Sequence, residues 1–448
     1  MFSVFRNAWK ITDLRKKILY TLFILIIFRI GAKIPVPFID LNVLRQSMAA
    51  LSSDSTGSLL GYLDILSGGA FANATLFAMS VTPYINASII IQLLTVAIPP
   101  LERLAKEGEE GRKKIASITR YTTVILGLIQ GTAYYFFLRN NWVKEADSYI
   151  AKYRNGFSGI FTAVVIVLVF TAGTALMMWL GEQINEKGIG NGISMLLFAG
   201  IVSRGFTLVQ TMYQMIMAGI TGTGFEAKKY LFYVPIILII FIVVIGFIVL
   251  MTDAERRIPV QYAKRVVGRK MYGGQSTHIP IKVNMSGVLP IIFASSLISI
   301  PGTIKLFANP AEGTFWHTVL GFFETNQVLY AVLYFFLIIV FSYFYVTIQY
   351  NPIEMANNLQ KNSGTVPGIR PGRPTSQFIS KILSKITLIG ALFLGIVAVF
   401  PIIFGMVSGI GGLAIGGTSV LILVGVALET TRQIESQMLM RHYKGFLE

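Results

Sequence analysis

The sequence has no cysteine, only three histidines (His278, His317 and His442), and few charges: 13% of its 448 residues are Asp, Glu, Lys or Arg, against about 25% in a soluble globular protein. Without cysteine there are no disulfides, thiolate nucleophiles or Cys-ligated metals. The histidines lie in or beside polar connections and none pairs at a metal-ligand spacing, so zinc chemistry and Ser-His catalysis lack a donor set. Neither an enzyme nor a cofactor site is expected. Acidic residues are the scarcer sign, 21 against 38 basic. What is abundant is apolar: 54% of the chain, in runs that recur from residue 18 to residue 428. About 20 such residues cross the hydrocarbon of a bilayer, so the chain reads as one polytopic membrane body rather than three soluble domains.

Ten candidate spans fall near residues 18–35, 73–98, 115–138, 159–180, 190–207, 231–251, 286–305, 327–349, 384–404 and 414–431. Arg204 interrupts the fifth, and an apolar stretch continues to Ile220. The basic N-terminus (Arg6, Lys10, Arg15, Lys16, Lys17) before an apolar run resembles a signal peptide. That run ends at Arg29, Lys33 and Pro35 without a small-residue cleavage site, so it is kept as a span. With the N-terminus cytoplasmic, 27 Lys and Arg lie on the cytoplasmic side and 10 on the other, which places both termini in the cytoplasm. The expected fold is an all-α polytopic membrane protein of ten transmembrane helices in two five-helix halves. They are 18–220 and 221–431, with cytoplasmic loops 253–285 and 350–383, an N-terminal segment 1–17 and a C-terminal tail 432–448. An odd number of spans per half makes a duplication inverted. Pro83-x-Ile85-x-Ala87-Ser88 in span two and Pro290-x-Ile292-x-Ala294-Ser295 in span seven share a pattern at the matching place in each half. Duplicated transport folds build their pathway at that interface.

Charges are nearly absent from the span centres, where each costs roughly 2.5–3.5 kcal/mol or more. Arg29 and Arg120 sit near span ends, where they can snorkel. An ion-coupled transporter lacks its carboxylates here, so any path across is apolar. Residues 57–70, rich in glycine, are too short to span and read either as a re-entrant half-helix closed by Gly68-Gly69 or as an interfacial amphipathic loop. The loop after span six carries Arg256, Arg257, Lys264, Arg265, Arg269 and Lys270, either a topology signal or a docking surface for an acidic protein or RNA phosphates. In 366–374, Pro367, Pro371 and Pro374 restrict the backbone and present Arg370 at a stiff tip. Gln92 and Asn284 are uncharged polar groups that need partners across helix interfaces, a weak latch. Gly188-Ile189-Gly190-Asn191-Gly192 is no dinucleotide fingerprint, since no strand precedes it.

The segments Pro83-Tyr84-Ile85-Asn86-Ala87-Ser88-Ile89-Ile90-Ile91-Gln92, Gly188-Ile189-Gly190-Asn191-Gly192-Ile193-Ser194, Pro367-Gly368-Ile369-Arg370-Pro371-Gly372 and Gly416-Gly417-Thr418-Ser419 resemble the bacterial SecY family, the channel subunits of the Sec protein translocon. The likeness covers essentially the whole chain. It implies two inverted halves around a central hourglass pore, with a lateral gate between spans two and three on one side and seven and eight on the other. By motif, it implies a pore ring of Ile85, Ile89, Ile193, Leu197, Ile292 and Ile422, in which Leu197 replaces the isoleucine common at that place. It implies a plug near 58–70, with Leu59, Leu60, Tyr62, Leu63, Ile65 and Leu66 as its apolar face, and a polar cluster at the gate holding Gln92 and Asn284. The basic loops and Arg370 correspond to surfaces that engage the SecA ATPase or a translating ribosome. Further partners implied are SecE, SecG, signal-sequence-bearing polypeptides and membrane lipids, in the bacterial cytoplasmic (inner) membrane. The rival reading is an inverted-repeat secondary transporter or lipid scramblase.

Overall fold

The computed structural model describes all residues except 1, 52–63, 65–66, 141, 144–147, 154, 222–224, 263–264, 268–269, 273–275, 309–312, 325–326, 409–415 and 445–448. Helix α1 (Phe2–Lys10) leads into α2 (Thr12–Gly31), followed by α3 (Leu41–Leu51), α4 (Thr82–Ala97), α5 (Pro99–Lys106) and α6 (Glu109–Asn140). The short strands β1 (Trp142–Val143) and β2 (Ser148–Tyr149) precede α7 (Gly156–Lys187), α8 (Gly192–Thr221) and α9 (Phe225–Asp253). Then come strands β3 (Glu255–Tyr262), β4 (Arg265–Val267), β5 (Lys270–Tyr272) and β6 (Ser276–Lys282), and helices α10 (Leu289–Ala308), α11 (Phe315–Gly321), α12 (Val328–Gln349) and α13 (Pro352–Lys361). Strand β7 (Gly364–Thr365) and helices α14 (Arg373–Ser408) and α15 (Gly416–Lys444) complete the chain.

Helices α2, α4, α6 to α10, α12, α14 and α15 fall on the ten expected spans. Among the described residues, six helices (α6 to α9, α12 and α14) are long and apolar enough to cross a membrane, and seven if α4 and α5, bent by 101° at Ile98, form one span. Apolar but shorter is α10, over Leu289–Lys305. Helix α2 carries Asp13, Arg15, Lys16 and Lys17 at its start and Arg29 in its last turn, and the apolar run of α15 meets Glu429 and Arg432.

Two boundaries depart from expectation. Span two was expected as one helix from residue 73, but α4 begins only at Thr82, where Pro83 pre-sets the first turn. Residues 67–81 are non-helical, a run of turns with one bridge from Thr75 to Pro35 and positive φ at Ala74 and Ser80. Such irregular backbone is tolerated at membrane depth only inside protein, and Phe71, Ala74, Phe77 and Ala78 are all buried. In the fifth span, Arg204 does not break the helix; α8 runs unbroken to Thr221.

The main core joins buried residues of α2, α4, α7, α8, α10, α12, α14 and α15 in one contiguous cluster. Helix α10 packs on α4 and α6 as well as on α12, so it forms the seam between the early and the late helices. Close approach is bought with small residues: a Cβ on Gly173 of α7 would lie 1.9 Å from the carbonyl oxygen of Leu76. Outside the spans, β3 is the centre of an antiparallel sheet in the order β6-β3-β7, with Ile258 opposite Ile279 and Gln261 opposite Thr365. Ile258, Val260 and Ile281 from the sheet meet Ala356 and Leu359 of α13, Val366, and Ile379 of α14 in a separate core. The two loops expected after spans six and eight are therefore one folded body.

Candidate functional site

Ile85 and Ile89 lie one turn apart on α4, and Ile193 and Leu197 one turn apart on α8, so each pair shares a helix face. Ile292 lies in the first turn of α10 and Ile422 in the apolar run of α15. Five of these six are buried members of the main core, and Ile193 is half-buried and packs against that core. All six thus contribute to the main core, which also takes in Ala70, Phe77 and Val81 and residues of α2, α7, α9, α12 and α14.

The turn before α8 explains how Ile193 and Leu197 are aimed. Gly190 has φ +90° and donates its N–H to Gln433 Oε1 of α15 at 2.7 Å. The Ile189 N–H goes to Thr21 Oγ1 of α2 at 3.0 Å, and the Gly192 N–H to Asn185 Oδ1 of α7 at 2.7 Å. A Cβ on Gly192 would sit 1.9 Å from the carbonyl oxygen of Gly181, and one on Gly181 would meet Ile193 Cδ1 at 2.6 Å. The glycine-rich motif is thus a junction that binds three other helices and sets the start of α8.

Beside this cluster lies the described end of the 57–70 segment. Asp64, 5% exposed, pairs through Oδ2 with Arg204 Nη2 of α8 at 2.7 Å, and its Oδ1 accepts the Ala72 N–H at 2.8 Å. Arg29 Nη1 donates to the Gly68 carbonyl at 3.2 Å and to Ser203 Oγ at 2.8 Å. Arg29 therefore turns into the protein. Arg120 pairs with Glu182 of α7 at 2.7 Å. The expectation that these two arginines snorkel missed partners that are 39 to 174 residues away in sequence. Leu59, Leu60, Tyr62, Leu63, Ile65 and Leu66 lie outside the described residues.

The expected partners across helix interfaces are not seen: Gln92 Nε2 donates to Ser88 Oγ one turn back on its own helix at 3.0 Å, and Asn284, beside Gly390 of α14, has a buried Oδ1 without a hydrogen-bond partner among the described residues. A cavity of about 570 Å³ opens between α4, α6 and α10, lined in part by Asn86, Gln130, Ser299 and Thr303. On the sheet, Arg256 and Arg257 are exposed. Arg265 and Lys270 begin β4 and β5, which pair antiparallel with Val267 opposite Lys270, while Lys264 and Arg269 are outside the described residues. Burial, then the charge of Arg432, holds the Lys282 ammonium below its usual range, against the pull of Glu255, Glu429 and Asp253. Arg370 is exposed at a tip whose turns are fixed by Gly368 at φ +79° and Gly372 at φ +93°, and its carbonyl accepts from Thr375 Oγ1 at 2.8 Å. Sequence reasoning missed the Asp64–Arg204 pair; its only signal was a single arginine inside an apolar stretch.

The SecY family model matches residues 75–431. Protein translocase subunit SecY of Mycobacterium bovis is 44% identical over 460 residues, covering 100% of both chains. The chain belongs to the SecY family. Protein translocase subunit SecY of Streptomyces coelicolor is 43% identical over 450 residues, again with 100% of both chains covered. Among solved structures, a protein-conducting channel superposes with a TM-score of 0.60 at 18% identity, covering 95% of this chain and 92% of that one. Sec61 in the canine ribosome-channel complex gives 0.58 at 18% identity with the same coverage. The fold is that of these channels. Members of the family are translocon channel subunits rather than enzymes, and this chain is a multi-pass membrane protein.

Proposed function

We propose that the chain is a protein-conducting channel of the bacterial cytoplasmic membrane that passes unfolded secretory polypeptides and releases apolar segments sideways into lipid. Ten spans in two inverted halves, with both termini cytoplasmic, enclose the path. The observation that supports the reading is that Ile85, Ile89, Ile193, Leu197, Ile292 and Ile422, from four helices, all contribute to the one continuous apolar core that also takes in Ala70. These six form the constriction, and the 58–70 segment is its plug.

An all-aliphatic constriction gives water and ions no hydrogen-bond partner, so it closes by dewetting. The same lack of polar chemistry lets any extended chain slide through, because each specific contact would trap some substrate. Sorting follows from transfer energies. A 20-residue apolar segment gains an upper bound of ~6–12 kcal/mol in lipid, and two central charges offset ~5–7 of it. The seam between α4 and α6 on one side and α10 and α12 on the other is the gate through which apolar segments leave.

Energy comes from outside the chain. The basic residues of the loop after span six, Arg256, Arg257, Lys264, Arg265, Arg269 and Lys270, together with Arg370, are the docking surface for SecA or for a translating ribosome, and SecE and SecG complete the membrane complex. Sec61 and Ssh1, the structural neighbours of this fold, are seen bound to ribosomes, which supports that use. The test is uptake of a secretory precursor into proteoliposomes holding the complex, read as protease protection with SecA and ATP. Wild type is expected to protect the precursor, and Arg370→Glu to reduce protection by about tenfold, the effect of losing one charge-assisted contact at an interface. No protection by wild type, with transfer of a labelled lipid instead, would favour the scramblase reading.

A further inference from the structure

We infer that Asp64 and Arg204, together with Arg29, are positioning residues that latch Asp64 and residues 67–70 against α8 and α2 beside the apolar core, and so set how readily the resting pore opens; the inference rests on the channel reading above. Arg204 lies seven residues beyond Leu197 on α8, roughly 10 Å further along the helix. The pair therefore sits just past the cluster, on the side where residues 67–70 lie.

The segment end is a preformed unit. Ser67 Oγ donates to the Asp64 carbonyl at 3.0 Å and accepts the Phe71 N–H at 2.9 Å, while the Gly69 N–H reaches the Asp64 carbonyl at 2.8 Å. Among the described residues, it is tied to α8 and α2 by directional bonds, the Asp64–Arg204 pair and the Arg29 bond to the Gly68 carbonyl. Gly68, at φ +66°, rests directly on α8, where an added Cβ would lie 2.9 Å from the Gly200 Cα. An aliphatic surface fixes no register for a segment lying on it, whereas an ion pair does. While the site is dry the pair is strong, and once water and salt enter it is screened. The latch therefore weakens as the pore hydrates, which makes opening switch-like.

One arginine, Arg204, pairs with the Asp64 carboxylate, while Arg29 holds the Gly68 carbonyl and Ser203 Oγ. The test is resting ion conductance of the full complex in planar bilayers, together with export of a precursor with a defective signal sequence. Arg204→Glu and Asp64→Arg are each expected to raise conductance about tenfold or more, as breaking one half of a buried pair does, and to relax signal selection. The double swap Asp64→Arg with Arg204→Glu should recover at least half of the loss on a logarithmic scale. Arg204→Lys should stay near wild type. If Arg204→Glu fails to accumulate, Arg204→Gln gives the same reading with a smaller perturbation. Silent single variants, or a swap no better than either single, would overturn the latch. A ring variant, Ile85→Asn with Ile292→Asn, measured in parallel separates the two ideas: if it leaks while the latch variants do not, only the latch falls.

Discussion

With Ile85 and Ile292 both changed to Asn, the resting channel is expected to leak ions by at least about tenfold over wild type in planar bilayers. Each carboxamide supplies hydrogen-bond partners where there were none, and leaving such a group unhydrated costs roughly 1–3 kcal/mol in proteins. Two of them stabilise the wetted state by ~2–6 kcal/mol, and about 1.4 kcal/mol already corresponds to a factor of ten. Ile85 and Ile292 are 7% and 6% exposed and belong to one cluster, although they come from α4 and α10. The same substitution should let precursors with weak signal sequences through. Unchanged conductance would remove both residues from the constriction.

Gly192→Ala is expected to produce the largest loss of stability for the smallest change in mass. The new methyl would meet the Gly181 carbonyl oxygen at 1.9 Å, and no side-chain rotation relieves a clash between two backbones. Helix α8 must move off α7, at a cost of about 1–3 kcal/mol or more, and Ile193 moves with it. The check is the thermal unfolding midpoint of the purified complex in detergent, with Gly205→Ala as control. Gly205 lies on the same helix with nothing within 4 Å of its Cβ position. There the exchange should be neutral or stabilising by up to about 1 kcal/mol, from helix propensity. Equal effects at the two positions would contradict the account of the 188–192 turn.

Helix positions were legible because apolar runs long enough for a bilayer leave little choice of structure: α6, α7, α12 and α14 cover their expected spans with a few extra polar residues at the ends. The repeated Pro-x-Ile-x-Ala-Ser pattern likewise marked two side chains, Ile85 and Ile292, that the fold brings into one cluster. What failed was whatever depends on partners distant in sequence. The β3 strand opens on a glutamate and two arginines and contains a proline, and its pairing with β6 and β7 and the core under Ile258 and Val260 make it a strand. Arg204 was an interruption in the sequence and is an ion-pair partner in the fold, because Asp64 reaches it from 140 residues upstream. The apolar start of span two read as helix, yet residues 67–81 are non-helical and sheltered by neighbouring side chains, a choice that hydropathy does not encode.

The absence of native cysteine allows the most direct measurement. Single cysteines placed in turn at Ile85, Ile89, Ile193, Leu197, Ile292 and Ile422 would each be tested for disulfide formation with one cysteine in a translocating polypeptide stalled across the membrane. All six should crosslink to the stalled chain and none without it, while a cysteine at Phe23, 58% exposed on α2, should not. Crosslinks that spare the six positions and fall elsewhere would mean that the polypeptide takes another route, and the aliphatic cluster would be ordinary helix packing.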